Sequence, residues 1–483
     1  MVSEERNWDE GQKQFLERFA DSGALSYFQQ IFQGRNKEAG DCWLPANSPR
    51  VISWITLSPA QKQISHTSLL EELRKNIGKK MGSWGLEKMG GVAVCLSDAL
   101  AARAGGWEII LRELSVAVQL ASHTFSYSSK QRVNKLQRVD FIVPSGVSDK
   151  GGVLVGSSIG RYTNLARRWS EEPSSKLTPQ VWAQEAAQEA CKAGCNFKVL
   201  DVGEIRALGM GGILGVGSGA AHSPKLLVAD YQPAQPEGAV ALIGKGILFD
   251  SGGLQIKTGG GMLNMKYDKA GGAAALAACF AAAFLKAPVR VIAVVPAVYN
   301  KVGSDAMHPR DILHMMNGKT VEVQNTDAEG RLVLGDALHY AEKFYSPDVM
   351  IDITTLTGAC VAPLGCGYAG LMSRDGRLKN DLIAAGKVVG ERLWELPLED
   401  SYKAGIDTDM ADVANCGKAS YGAGSIMGGL FLEQFVQTAR WAHLDIAGPA
   451  MQAPTTWYEP TGATGFGTRL LIEYIINYRG DGV

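Results

Sequence analysis

Val240-Ala-Leu-Ile243-Gly-Lys245-Gly-Ile-Leu-Phe-Asp250-Ser-Gly-Gly-Leu-Gln-Ile-Lys257 begins as an unbroken apolar run and turns into a glycine-rich loop carrying two lysines and a carboxylate. A short apolar run bounded by glycine predicts a strand buried on both faces of a sheet. Comparable runs recur at 197–200, 225–229, 289–295, 349–353 and 443–446, with helical segments between most of them. This alternation predicts a central, mostly parallel sheet flanked by helices. Ligands of open α/β sheets gather beyond the carboxyl ends of the strands, so the loops after these runs are where chemistry is expected.

Nearer the amino terminus, apolar runs at 51–57, 92–96 and 141–143 alternate with helical patterns at 68–77 and 107–120, which reads as a smaller α/β domain over residues 1–160. From Arg161 the chain becomes polar. Residues 170–179 then supply a loop ending in Thr178 as N-cap, with Pro179 at the first helical position. A linker is expected over 161–176, a helix over 180–191, and a larger C-terminal catalytic domain over 177–483. The fold class is therefore α/β, with the smaller domain first, and 483 residues agree with at least two cores.

A formal net charge of -1 provides no global field for nucleic acid or an anionic membrane. The first residues, MVSEERNWDEGQK, are dense in charge and lack the apolar core of a secretory signal, so a cytoplasmic location is expected. The most apolar stretch, 271–285, is too short and too rich in alanine for a membrane span. Eight cysteines are sparse. Neither close pair, Cys191 with Cys195 or Cys360 with Cys366, has zinc-ribbon spacing, and all read as reduced, mostly buried thiols.

Two further segments bear on the loop of Lys245, Asp250 and Lys257. Asp268 stands eleven residues past Lys257, at the entrance to a helix made almost wholly of Gly and Ala. Asn325-Thr-Asp327-Ala-Glu329-Gly-Arg331 reads as an extended segment whose alternate side chains line one cavity. Converging carboxylates repel and raise one another's pKa unless cations lie between them, so Asp250, Asp268, Asp327 and Glu329 call for metal. Oxygen donors without histidine suit Mg, Mn, Co or Zn. Two ions, typically ~3.5–4 Å apart, would make a hydrolytic centre. Lys245 could add a neutral nitrogen ligand if dications and burial depress its pKa.

Singly, each of these residues has a plainer reading. Asp250 or Asp268 could cap a helix or shape a turn, and Lys257 and Arg331 could be ordinary surface charges or ion-pair partners. The Gly244–Gly253 loop matches neither the P-loop nor the dinucleotide pattern. His308 and His314, six apart, read as ordinary loop or core histidines. It is the combination that argues for a site.

The segments GKGILFDSGGLQIK, MKYDKAGGAAA, NTDAEGRLVLGDAL, TLTGA and WAHLDIAG resemble successive signatures of the leucine (cytosol) aminopeptidase family. The NTDAEGRL octapeptide is highly specific, and the intervals from Lys245 through Asp250, Lys257 and Asp268 to Asp327 match without a gap. The resemblance runs from about Leu177 to the C-terminal region; the first domain matches only in place and size.

This resemblance implies a two-metal aminopeptidase that cuts the N-terminal residue, preferably Leu or another apolar one, from peptides with a free amino terminus by metal-activated water. It implies that Asp250 and Glu329 are shared by both metals, that Lys245 and Asp268 complete the tightly held ion, and that Asp327 completes the exchangeable one. Lys257 would stabilise the oxyanion, and Arg331 would hold a bicarbonate acting as general base. Met265, Thr357 and Ala450 would shape the pocket for the first side chain, with Asn325 and Gly358 also facing substrate. A homohexamer of two stacked trimers is implied as well, with no membrane partner.

Departures from the family pattern are Lys269 in place of methionine directly after Asp268, Gln324 in place of methionine before Asn325, and no asparagine-proline element in the 161–176 stretch. Two competing readings follow. One is a DNA-binding protein using Arg74, Lys75, Lys79 and Lys80, or Lys130, Arg132, Lys135 and Arg138, although such runs are usually solvated faces. The other is a metal-binding pseudoenzyme.

Overall fold

The computed structural model describes residues 39–44, 50–55, 65–86, 91–96, 98–129, 136–144, 146–452 and 462–480. The chain divides into two compact units between Arg161 and Tyr162.

In the first unit, strands β1 (Ala39–Leu44), β2 (Arg50–Ile55), β3 (Gly91–Cys95) and β4 (Arg138–Ile142) form a sheet in that order. β1 and β2 are antiparallel, and β2, β3 and β4 are parallel. Helix α1 (His66–Leu86) packs on α2 (Trp107–Ser122), whose Leu111, Leu114 and Leu120 are buried. Helix α3 (Gly152–Glu171) starts with glycines at 152, 156 and 160. A Cβ on any of these would lie 2.1–2.4 Å from α2 atoms, so the glycine stripe permits the close crossing.

Two expectations change here. Residues 161–176, read as a linker, are helical as far as Glu171, with Tyr162, Arg167 and Trp169 buried. The polar residues of this stretch are packed on the second unit's core, so polarity did not mark a free connection. Among the basic groups, Arg74 is fully buried and pairs with Glu71 and Glu113. Lys75 meets Glu72, and Arg138 lies 2.9 Å from Asp140. Lys130, Arg132 and Lys135 fall outside the described residues, as do residues 1–38, which include the charged amino terminus.

After the second half of α3, the second unit continues with α4 (Pro179–Ala193), capped as expected by Thr178, whose Oγ1 accepts the Val181 N–H. Strands β5 (Asn196–Leu200), β6 (Lys225–Tyr231), β7 (Ala239–Gly244), β8 (Gly246–Asp250) and β9 (Arg290–Asn300) follow, with helix α5 (Ala270–Leu285) between β8 and β9. A small separate sheet pairs β10 (Ile312–His314) and β11 (Thr320–Glu322) with β15 (Val413–Ala414). Helix α6 (Gly330–Tyr345) leads to β12 (Val349–Thr354), β13 (Ala369–Met372), α7 (Gly376–Val389) and β14 (Leu393–Glu395). Then come α8 (Gly424–Glu433), β16 (Arg440–Asp445) and α9 (Thr468–Ile476).

The main sheet runs β14-β13-β16-β12-β7-β9-β6-β5, with β8 also pairing with β9. Its centre, β16-β12-β7-β9, is parallel, and antiparallel pairs occur toward both sides. The unbroken apolar runs occupy the centre because both faces are covered. Every residue of β12 is buried, and α5 is buried from Ala270 through Ala283. The stretch Gly259–Leu285 is long and apolar enough by composition to cross a membrane, yet 89% of its most apolar window is buried inside the protein, as in a core helix. Cys191, Cys195, Cys279, Cys360, Cys366 and Cys416 are free; Cys195 and Cys279 approach to 3.8 Å between sulfurs without a bond.

Candidate metal centre

The carboxyl ends of β7 and β12 form the floor of the site. Lys245 follows β7 directly. Its N–H donates to Ile353 O at 3.1 Å, and its carbonyl accepts the Gly272 N–H at 2.7 Å, tying the strand end to β12 and to the first turn of α5. Three glycines make this approach possible. A Cβ built on Gly244 would lie 2.5 Å from Gly272 Cα, and one on Gly271 would lie 2.0 Å from Ile353 O. With the helix start so close, Asp268, two residues before α5, reaches Lys245.

Lys245 Nζ lies 2.8 Å from Asp268 Oδ2 and 2.9 Å from Glu329 Oε1, and donates to Thr355 O at 3.2 Å. Asp268 Oδ1 also accepts from Thr355 Oγ1 at 2.7 Å. Asp250 ends β8 beside Asn300 at the end of β9, and its Oδ1 accepts from Asn300 Nδ2 and Gly252 N, both at 2.8 Å. Lys257 returns from the loop to sit 2.8 Å from Asp250 Oδ2 and 2.5 Å from Asp327 Oδ1. One oxygen each of Asp250, Asp327 and Glu329 lies within 4.8 Å of the others.

The 325–331 segment is not extended as its alternation suggested. Asn325 Oδ1 accepts the Asp327 N–H at 2.8 Å, Asn325 O accepts the Ala328 N–H, and α6 begins at Gly330 with Glu329 as its N-cap. A turn followed by a helix start brings Asp327 and Glu329 together where a strand would have spaced them along one face. The positive end of the helix also favours the Glu329 carboxylate.

Asn415 holds this turn from across the chain. Its Oδ1 accepts the N–H groups of Gln324 and Asn325 at 2.8 and 3.1 Å, and its Nδ2 donates to Asn325 O and Ala328 O at 2.7 and 3.3 Å. Thr326 braces it from the other side, donating to Gly252 O at 2.6 Å and accepting the Gln255 N–H at 2.9 Å. Sequence reading assigned no role to Asn415, Asn300, Thr326 or Thr355; Thr326 and Thr355 stand inside the NTDAEGRL and TLTGA segments, whereas Asn300 and Asn415 stand in no pattern that marks them.

Electrostatics set the protonation of this cluster. Burial alone would lower the Lys245 pKa, but Asp268, Glu329 and Asp250 raise it above the ordinary lysine value. Lys257 is likewise raised, Asp250 and Asp327 outweighing its burial. Burial, with Glu329 and Asp250 alongside, pushes Asp268 up to about 8 against the pull of Lys245. Four carboxylates thus face two ammonium groups. Asp268 Oδ2 and Glu329 Oε1 are buried against Lys245 Nζ and Asp327 Oδ1 against Lys257 Nζ, while Glu329 Oε2 is buried with no hydrogen-bond partner. Two ammonium groups leave four carboxylates short of positive charge, and a buried anionic oxygen without a donor is what a bound cation satisfies, so the residues fit a metal.

Arg331 lies in the first turn of α6, buried, with Nε unpaired. Burial holds its pKa below the usual arginine value, countered by Cys416, Glu329 and Asp445. Thr357 Oγ1 donates to Asp445 Oδ2 at 2.6 Å and lies 2.7 Å from Ser425 Oγ. Met265 begins the short 3-10 turn Met265–Tyr267, Gly358 is exposed after β12, and Ala450 is buried after β16. The side chains of Met265 and Ala450 make no polar contact with the carboxylates.

Lys269 points away from the cluster. Its Nζ donates to Glu172 O at 3.0 Å and to Lys266 O. Burial and the neighbouring Lys266 pull its pKa down to about 7 against Glu171, Glu172 and Asp268. Gln324 contributes its backbone N–H to Asn415 and its amide to Glu322. His308 and His314 lie outside the site, His308 beside Asp311.

Comparison with known proteins identifies the family. Residues 164–472 match the model of the cytosol aminopeptidase family, catalytic domain. A probable cytosol aminopeptidase of Geobacter sp. is 43% identical over 369 residues, covering 75% of this chain and 74% of that one. Another, from Chlorobaculum parvum, is 40% identical over 423 residues, covering 83% and 81%. Among solved structures, the bottromycin maturation enzyme BotP in complex with Mn superposes with a TM-score of 0.81 at 29% identity, covering 92% of this chain and 95% of that one. The chain belongs to the cytosol aminopeptidase family, and with it to the metal-dependent peptidases.

Proposed function

We propose that this protein is a two-metal aminopeptidase that releases the N-terminal residue, by preference Leu or another apolar one, from peptides with a free amino terminus. The observation that carries the reading is the meeting of Asp250, Asp327 and Glu329 oxygens within 4.8 Å, next to Asp268 and Lys245. Carboxylate oxygens with one amine suit hard or borderline divalent ions, Zn, Mn, Co or Mg. The manganese of BotP supports that choice.

In this reading Asp250 and Glu329 serve both ions, Lys245 and Asp268 the tightly held one, and Asp327 the exchangeable one. Two divalent ions there supply Lewis acidity toward a carbonyl and lower the pKa of water. Cations among the same carboxylates reverse the upward shift of Lys245 and free its nitrogen for coordination. Lys257, partly open to solvent at the cluster's rim, offers a preorganised positive charge to the oxygen of the scissile carbonyl. Arg331, with its buried unpaired Nε, offers planar donors suited to a bicarbonate, the general base of this reading.

Met265, Thr357 and Ala450 shape an apolar pocket for the first side chain, with Asn325 and Gly358 at its edge. A methylene more or less in such a pocket changes discrimination by only ~1–3 kcal/mol, so preference for Leu over Met is weak. The catalytic part is residues 177–483, the assembly a homohexamer and the location cytoplasmic.

The test is hydrolysis of leucine amides after chelation, with Mn, Co, Zn or Mg added back and an N-acetylated peptide as control. Cleavage restored by metal, and only with a free amine, is expected. No cleavage with any metal would overturn the reading.

A further inference from the structure

Glu171, the last residue of α3, is a hub for the segment that ends in Asp268. Its Oε2 accepts from Lys266 Nζ at 2.9 Å and Tyr267 OH at 3.0 Å, and its carbonyl accepts from Lys266 Nζ at 3.0 Å. Its Oε1 accepts the Ala463 N–H. One carboxylate therefore binds the two residues immediately before Asp268 and, from the other side, the segment after residue 461.

The second attachment is sterically specified. Gly462 has φ +117, and a Cβ built there would lie 1.9 Å from Glu171 Oε1. One α-helical turn earlier, Arg167 Nε donates to Ala463 O at 3.1 Å. Thr464 Oγ1 then donates to Pro449 O at 2.8 Å, next to Ala450. Glu171 is ionised: burial alone would raise its pKa, but Lys266, the Ala463 N–H and Tyr267 bring it below the ordinary glutamate value.

We propose that Glu171 is a positioning residue for Asp268, fixing the Lys266–Tyr267 turn so that the Asp268 carboxylate is held toward Lys245, and joining that turn to Ala463 and, through Thr464 and Pro449, to Ala450. This rests on the metal-centre reading above. Asp268 itself is anchored on its inner side only by Lys245 and Thr355. Its backbone N–H makes a long 3.4 Å bond to Met265 O. The outer anchor is thus Glu171, with Lys269 Nζ on Glu172 O adding a second tie from the same helix end. Residues that orient metal ligands typically change metal affinity ~10–100-fold when removed.

The experiment is a calorimetric titration of the chelated full-length protein with Mn2+ alone, for wild type, Glu171→Ala, Glu171→Gln and Lys266→Met, with circular dichroism and kcat alongside. Wild type is expected to take up two ions. Glu171→Ala should weaken one of them ~10–100-fold, leave the other unchanged, and lose kcat that excess Mn2+ restores. Glu171→Gln, which keeps one acceptor oxygen for the Ala463 N–H and turns an amide N–H toward the Tyr267 oxygen, should fall between. If Glu171→Ala does not fold, Lys266→Met reads the same selective weakening with a smaller size.

Unchanged affinities in a folded Glu171→Ala, equal weakening of both ions, or a kcat loss that excess Mn2+ leaves in place would overturn the proposal. Failure of wild type to bind Mn2+ would instead remove the metal-centre reading, and this proposal with it.

Discussion

Lys245 and Gly330 pack so closely that a Cβ on Gly330 would lie 2.5 Å from Lys245 Cε. The first residue of α6 is therefore shaped by the lysine that follows β7, and the helix start can carry Glu329 to within 2.9 Å of Lys245 Nζ. Gly330→Ala improves helix propensity by roughly 1 kcal/mol but forces the lysine aside. Overpacking of this kind costs ~1–3 kcal/mol. Net stability should change little while Mn2+ affinity and kcat both fall. Wild-type metal binding in the variant would show that Lys245 is free to move.

Asp250→Asn keeps an oxygen for Gly252 N–H and Asn300 Nδ2 and removes the charge between the two proposed ions. It should fold with a near-normal melting temperature and lose metal-dependent turnover. Full activity would refute the assignment of Asp250 as a shared ligand.

Lys257→Ala removes a charge that matters most when the carbonyl oxygen becomes anionic. A kcat loss of ~10²–10³-fold with a smaller change in KM is expected. Steady-state kinetics on a leucine amide decide it, and an effect confined to KM would contradict the role.

Asn415→Ala strips four hydrogen bonds from the 324–328 turn at a fully buried site. Unsatisfied buried groups cost ~1–3 kcal/mol each, partly relieved by entering water. A loss of ~2–4 kcal/mol in denaturant unfolding is expected, with lower activity in the folded fraction. Asn415 belongs to no motif and lies 90 residues from Asn325, so sequence reading passed over it.

Asp352 and His443 face each other on β12 and β16, with His443 Nδ1 2.6 Å from Asp352 Oδ1 and Trp441 Nε1 donating to Oδ2. Burial alone would lower the His443 pKa, but Asp352 raises it above the ordinary histidine value. A folded-state pKa above the unfolded one contributes stability that is complete below about pH 6.5 and lost as pH rises through the folded value. Thermal unfolding from pH 6 upward should show this decline in wild type and a flatter profile in His443→Asn. Parallel profiles would assign the pH dependence elsewhere.

The sequence alone determined the central strands and the residue types from which a metal site is argued. Apolar runs such as 240–243 and 349–353 can be satisfied only between two covered layers, and four carboxylates beside glycine-rich loops call for a counter-charge. Those are properties of neighbouring residues and of composition, which a linear chain displays. The tertiary structure decided what neighbours cannot: that 325–331 is a turn and helix start, that 161–171 is helix, and that Lys269 points toward Glu172. It also decided that Asn415 bonds the 324–328 turn and Glu171 the Lys266–Tyr267 turn, because hydrogen bonds between residues about 90 positions apart exist only after folding brings their segments together.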